Sequence, residues 1–240
     1  VGLNIDAVME YNDDGYLIYS DNYIGAYVRG RTKEEALNKF DKEICQYVEW
    51  STGKKYSANE KFKIRIVQEK RSELQICDAD SDVIFHSEKM PITLHEYEEL
   101  KTLVIKSAKD FKILYDSIPD KECSSLKARK TFYGDVPRTA DEMYSHTRNV
   151  TNYYVGEIGV VVDNLHDILE SRINALQFVE CVPNFLSNQV YDGSYGEQWS
   201  LRKVLRRFIW HDRIHAKAMY RMAMSIWGNE VIENPFSFTL

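Results

Sequence analysis

The chain has 240 residues, 44% of them hydrophobic and 28% charged, and a formal net charge of −6. That composition fits a globular protein with a sizeable core, and the acidic balance argues against a general nucleic-acid binder. Four scattered cysteines, Cys45, Cys77, Cys123 and Cys181, form no Cys-x-x-Cys pair, which argues against a disulfide-stapled scaffold or a zinc finger. No apolar run approaches the ~18–20 residues of a membrane span and no signal pattern opens the sequence, so a cytoplasmic protein with reduced thiols is expected.

Residues 1–87 carry strand signals. Tyr16 to Tyr19 follow an Asp-Asp-Gly turn, and Ile24 to Val28 continue in aromatic and β-branched residues. Thr32-Lys-Glu-Glu35 is a capping box opening one helix whose apolar positions are Ala36, Leu37, Phe40, Ile44, Tyr47 and Val48. Phe62 to Val67 alternates as a strand with one buried face, and Leu74–Cys77 and Val83–Phe85 read as further strands. A small antiparallel sheet crossed by one helix is the expected first domain, residues 1–87.

Beyond Met90-Pro91 the period changes from two to helical, and residues 88–240 form the expected second domain. Capping boxes at Thr93-Leu-His-Glu96 and Thr139-Ala-Asp-Glu142, and Ser200 before Leu201, open helices. The pattern places helices at about 94–118, 140–163, 166–181 and 201–227, so the chain is α+β with a four-helix bundle. The connection from 182 to 199 is long, polar and aromatic, as functional or crossover loops often are.

Trp210-His-Asp-Arg-Ile-His215 sets two histidines four positions apart in the last helix. Both fall on the stripe formed by Leu201, Val204, Phe208, His211, His215, Met219, Met222 and Ile226. Imidazoles on an apolar face need partners, and two converging rings suit a metal ion or a hydrogen-bonded core pair. The zincin pattern needs Glu where Asp212 stands, which argues against a metallopeptidase. A metal needs a further ligand from another helix. His146 lies on the line Met143, His146, Val150, Tyr153, whereas His86, His95 and His166 lie near the junction or at helix starts. Glu157 continues the His146 line about three turns on and could approach a pocket, but no general base is assigned. Asp212 points off the stripe, toward an arginine such as Arg213 or solvent. Arg202, Arg206, Arg207 and Arg213 suit a carboxylate or phosphate, or a solvated face.

One inward histidine on the second helix, then Trp199-Ser-Leu-Arg-Lys-Val-Leu-Arg-Arg207 and His211-x-x-x-His215, resembles the DinB/YfiT-like family over residues 90–240. The resemblance implies an up-down-down-up four-helix bundle in which His146, His211 and His215 hold a divalent metal, zinc or nickel. It also implies a homodimer, and relatives include metal-dependent thiol transferases, isomerases and hydrolases. Tyr16-Leu-Ile-Tyr19, Ile24-Gly-Ala26 and Gly30-Arg-Thr-Lys-Glu-Glu-Ala36 resemble the HicB family's sheet-and-helix domain. No helix-turn-helix or basic arm accompanies them, so an antitoxin function does not carry over. Two functional expectations follow: a metal-dependent thiol transferase or hydrolase acting on a small molecule, thiol-containing in the first case, or a non-catalytic metal-binding protein whose first domain mediates association.

Overall fold

The computed structural model describes residues 4–57, 60–131 and 134–239. Its first half is a four-stranded sheet made of β1 (Asn4–Asn12), β2 (Gly15–Ser20), β3 (Tyr27–Gly30) and β4 (Lys63–Arg71), in the order β3-β2-β1-β4. Strands β1 to β3 form an antiparallel meander, with Met9 opposite Ile18 and Ile18 opposite Val28. Strand β4 runs parallel to β1, with Ile64 opposite Ile5 and a register shift between Ala7 and Val8. The sheet is therefore mixed, not antiparallel as expected. Its cause is the connection after β3, which carries the chain back over the sheet through helices, and such a crossover delivers a parallel strand.

That connection also holds two helices where one was expected, α1 (Lys33–Leu37) and α2 (Phe40–Thr52). The Thr32 hydroxyl accepts from the Glu35 N–H as the capping box predicts. At Asn38 and Lys39 the helix breaks, and the Lys39 ammonium donates to the Arg29 carbonyl at 2.8 Å and the Glu35 carboxylate at 2.6 Å. The break lets α1 pack on β2 and β3 while α2 turns its buried face toward the later helices. From α2, the Trp50 indole donates to Asp110 at 2.7 Å and Tyr47 to the Ile24 carbonyl at 2.6 Å.

The segments at 74–77 and 83–85, expected as strands, form no ladder; the first leads into a 3-10 turn at Ile76–Asp78. Their neighbourhood spends its carbonyls on side chains. Gln68 donates to Ile84, Lys203 to Asp82, Arg206 to Val83 and Arg207 to Ser81. A strand needs those groups for a ladder, and here they are already used.

In the second half α3 (Leu94–Ser117), α4 (Ala140–Gly156), α5 (Ile168–Glu180) and α6 (Leu201–Trp227) pack together, α3 and α4 each lying against α5 and α6. Thr93 and Thr139 make complete capping boxes, and Ser200 caps α6. Helix α4 stops seven residues before the expected end, because Gly159 turns into the left-handed region (φ +82°) and Val160 N–H folds back on the Val155 carbonyl. Contacts fix the directions. Glu96 meets Arg202 and Ser107 meets Asp212, so α3 and α6 run alike. His146 meets His215 while Tyr154 meets Phe208, so α4 runs against α6.

The core is continuous across both halves. Ile5, Met9, Ile18 and Val28 on one sheet face join the same apolar cluster as Val104, Phe111, Leu176 and Phe208. The opposite face, Val8, Leu17, Tyr19 and Tyr27, packs with Val83, Phe85 and Trp210 of α6. Gly25, at φ +95°, brings the sheet against α6 so closely that a Cβ there would lie 2.4 Å from Ile209 Cγ2 and 3.2 Å from Trp210 N. Gly25→Ala therefore adds a clash to an unfavourable backbone angle. We expect a loss of about 3 kcal/mol or more, read as a fall in Tm of about 6–12 °C; an unchanged Tm would refute this packing.

Candidate metal centre

Helix α6 is buried on nearly all sides from Leu201 to Arg213, including five charged residues. Each has a counter-charge from another part of the chain. Lys203 lies 2.8 Å from Glu197 and Arg207 2.9 Å from the same carboxylate. Arg206 is clasped by Glu88, Asp212 lies 3.1 Å from Arg172 of α5, and Arg213 lies 2.8 Å from Glu43 of α2. Arg206, Arg207 and Arg213 are thus neither a solvated face nor free anion ligands. Asp212, expected to meet Arg213 or solvent, pairs with Arg172 and accepts from Ser107 at 2.8 Å. Arg202 lies at the rim, on Glu96 and the Pro91 carbonyl.

These pairs fix the rotation of α6 and leave the side bearing His211 and His215 turned toward α4. There His146 meets them. His146 Nε2 lies 3.2 Å from His211 Nε2, and one ring nitrogen from each of the three lies within 4.8 Å of the others. The ring centroids are 4.5–5.0 Å apart. His211 is buried, His215 half-buried, and His146 opens onto a cavity. Burial and then the neighbouring His215 hold His211 well below ordinary imidazole basicity. Burial, then His146 and Arg29, pull His215 down to about 3. The walls around His146 strip enough water to lower it as well. Three neutral imidazoles present lone pairs, which is the form that binds a metal.

The donor set fits a divalent ion. Two nitrogens on a tetrahedral zinc are separated by about 3.3 Å, close to the His146–His211 spacing. The His211 Nδ1 atom is buried with no hydrogen-bond partner among the described residues, so packing, not an outer-shell acceptor, orients that ring. The cluster contains only imidazoles.

The histidines stand in the wall of a cavity of about 730 Å³. Helix α4 contributes Met143, Val150, Tyr153 and Tyr154, and α6 contributes Arg207, Trp210 and Ile214. Burial pushes the Tyr154 hydroxyl up to about 12, so it stays protonated near neutrality. The opposite wall comes from the first half of the chain: Arg29 and residues of the 74–82 segment. Ser81 there donates to Glu10 at 2.5 Å, whose carboxyl burial and the adjacent Asp82 push up to about 7. Sequence reasoning missed this wall, since no periodicity or spacing links it to the histidines.

Glu157 does not join the site. It sits at the end of α4 and accepts from the Ser194 N–H at 2.7 Å, tethering the 182–199 connection. His95 and His166 pair with Glu99 and Glu170 one helical turn away, and His86 is exposed.

Fold and site together define a mixed α+β region joined to a helical bundle that carries a three-histidine cluster. Comparison with protein-family models, with curated proteins and with solved structures finds no match.

Burial raises the Glu43 carboxyl, but the charges of Arg213 and Lys217 outweigh it and hold the group below its ordinary value. A depressed carboxylate stabilises the fold above the unfolded value of 4.5, and that contribution disappears as pH falls through the folded value. Glu43→Gln should cost about 3 kcal/mol at neutral pH, and the gap from wild type should narrow below pH 4.5. Urea titrations across that range measure it, and a pH-independent gap would contradict the ion-pair account.

Proposed function

We propose that His146, His211 and His215 hold one divalent ion, zinc or nickel, and that the chain is a metal-dependent enzyme acting on a small molecule. The observation that carries this reading is the convergence of three imidazole donors within 4.8 Å of one another at the wall of a large cavity. Structural sites usually close with four protein ligands, whereas catalytic ones use three and leave a position for water or substrate. An ion held there supplies Lewis acidity and makes a bound water or thiol more acidic. The chain's own residues shape the reaction space. Tyr153, Tyr154 and Trp210 exclude water on one side, and Tyr154 keeps a hydroxyl proton available for donation. Glu197 is held by Lys203 and Arg207, so it is a poor general base.

The DinB/YfiT-like reading extends this. Helices α3 and α6 run one way and α4 against them, which supports an up-down-down-up bundle, and the convergence of His146, His211 and His215 supports the ligand set this reading assigns. Within that reading the reaction is a thiol transfer or hydrolysis. In the same reading residues 1–87 are a HicB-like unit and residues 88–240 the bundle, with the first unit supplying a cavity wall. That contribution favours catalysis over a purely associative role for it. A homodimer belongs to the same reading, and light scattering at micromolar concentration giving the mass of one chain would remove it.

Purified protein should contain about one zinc or nickel per chain. His211→Ala and His215→Ala should lower that content sharply while the helical circular dichroism persists. Adding zinc to the metal-free protein at a hundred times its Kd should stabilise it by about 2.7 kcal/mol, raising Tm by about 5–10 °C. Unchanged metal stoichiometry in the triple variant His146→Ala, His211→Ala, His215→Ala would falsify the site.

A further inference from the structure

The cavity has a direction. Its α6 wall runs from Arg207 to Ala218, a length of about 16 Å at the helical rise, with His211 and His215 near the middle. Antiparallel α4 contributes Tyr153 and Tyr154 toward the Arg207 end and Met143 toward the other. The Arg207 end is aromatic. Tyr153 and Tyr154 pack on Trp199, and Tyr195 stands there 88% exposed with φ +59°. A tyrosine held in the left-handed region at a cavity mouth is costly, and such residues cluster at ligand clamps.

The far end is cationic. Arg29 donates to the Cys77 carbonyl at 3.3 Å, next to Asp78, which pairs with Arg129. Lys127 stands two residues after Ser125, whose hydroxyl lies 3.0 Å from that of Ser225 near the end of α6. Arg138 immediately precedes the cap of α4. All three line the cavity. The lining carboxylates are already engaged. Asp78 pairs with Arg129, Asp82 with Lys70, Asp135 with Lys130, and Glu197 with Lys203 and Arg207, while Asp80 is engaged too. No carboxylate lies within ion-pair distance of the Arg29, Lys127 or Arg138 side chains among the described residues, although Glu142, which accepts from the Arg138 N–H at 2.8 Å, feels the Arg138 charge. Charges along the whole lining balance, five basic against five acidic side chains, so what distinguishes this end is three cations with no carboxylate at ion-pair distance.

We propose that the cavity takes an elongated small molecule with an oxyanion group, a carboxylate or phosphate, held by Arg29, Lys127 and Arg138. Its apolar or aromatic body lies along Tyr153, Tyr154 and Tyr195. The scissile or transferred bond then falls over the histidines, and only this last clause rests on the metal-centre reading. Arg29 comes from the sheet, so the first half of the chain helps to hold the molecule that lies along the bundle. A guanidinium suits this task because its planar fork meets two oxygens at once.

Two fluorescent dyes test the proposal in EDTA-treated protein: anilinonaphthalenesulfonate, and N-phenylnaphthylamine, which has the same rings without the anion. Wild type should bind the sulfonate about tenfold or more tightly than the neutral dye, the size of a charge-assisted contact. The triple variant Arg29→Gln, Lys127→Gln, Arg138→Gln should lose that preference, keep its affinity for the neutral dye and keep its circular dichroism. Lys63→Gln, at an exposed position on β4, should change nothing. Tyr195→Ala should weaken both dyes alike, and no effect on either would remove the aromatic end of the proposal. Displacement by inorganic phosphate or by acetate identifies the preferred oxyanion. Equal affinity of wild type for both dyes, or a preference that survives in the triple variant, would overturn the inference. Because no metal is present, these results stand apart from the metal-content measurement, and either reading can fail alone.

Discussion

Ionised side chains enter a protein interior only with compensation, and five of them on one helix make compensation the rule that organises this molecule. Lys203, Arg206, Arg207, Asp212 and Arg213 each meet an opposite charge, drawn from α2, the 88 turn, α5 and the 197 loop. Removing one partner from a buried pair costs about 3–5 kcal/mol, so α6 has one acceptable rotation. That rotation turns His211 and His215 toward α4. The convergence of the two histidines on His146 follows from charge matching elsewhere on the helix.

The same constraint joins the two halves. Glu43 and the carbonyls of Ser81, Asp82 and Val83 belong to the sheet region, yet they satisfy side chains of the last helix. Gly25 lets the backbone approach close enough for those bonds to form. What reads along the chain as an appended domain is, in space, the other side of the cavity.

How much was legible in the sequence depended on whether the physics was local. Capping boxes at Thr93 and Thr139 act over three residues, and the helices start where they say. The i, i+4 spacing of His211 and His215 and the helical line through His146 are periodic signals, and the three rings converge. Failures lie where tertiary partners decide. The 83–85 segment has strand-like residues, but Arg206 and Gln68 take the carbonyls of Val83 and Ile84. The helix after Thr32 has one apolar periodicity, yet its two parts serve different surfaces and it breaks between them. The parallel pairing of β4 is set by a crossover that no alternation reveals. Only the end of α4 had an overlooked local cue, Gly159. Arginines of α6 looked like surface residues because residue type alone does not announce a counter-ion, whether ten positions away as for Arg207 or more than a hundred as for Arg206 and Arg213.

Helix α6 also has consequences for how the chain reaches this state. Its partners at 43, 88, 172 and 197 all precede it, so during synthesis their carboxylates and guanidinium wait without counter-charges until the last helix emerges. Contacts this distant along the chain delay folding, because a large loop must close before any of them is gained. The apolar cluster shared by the sheet and the first three long helices is complete only once α6 is in place. Apolar surface left uncovered before a late element docks is the kind that aggregates, so for this chain the order of docking matters alongside the stability of the finished fold.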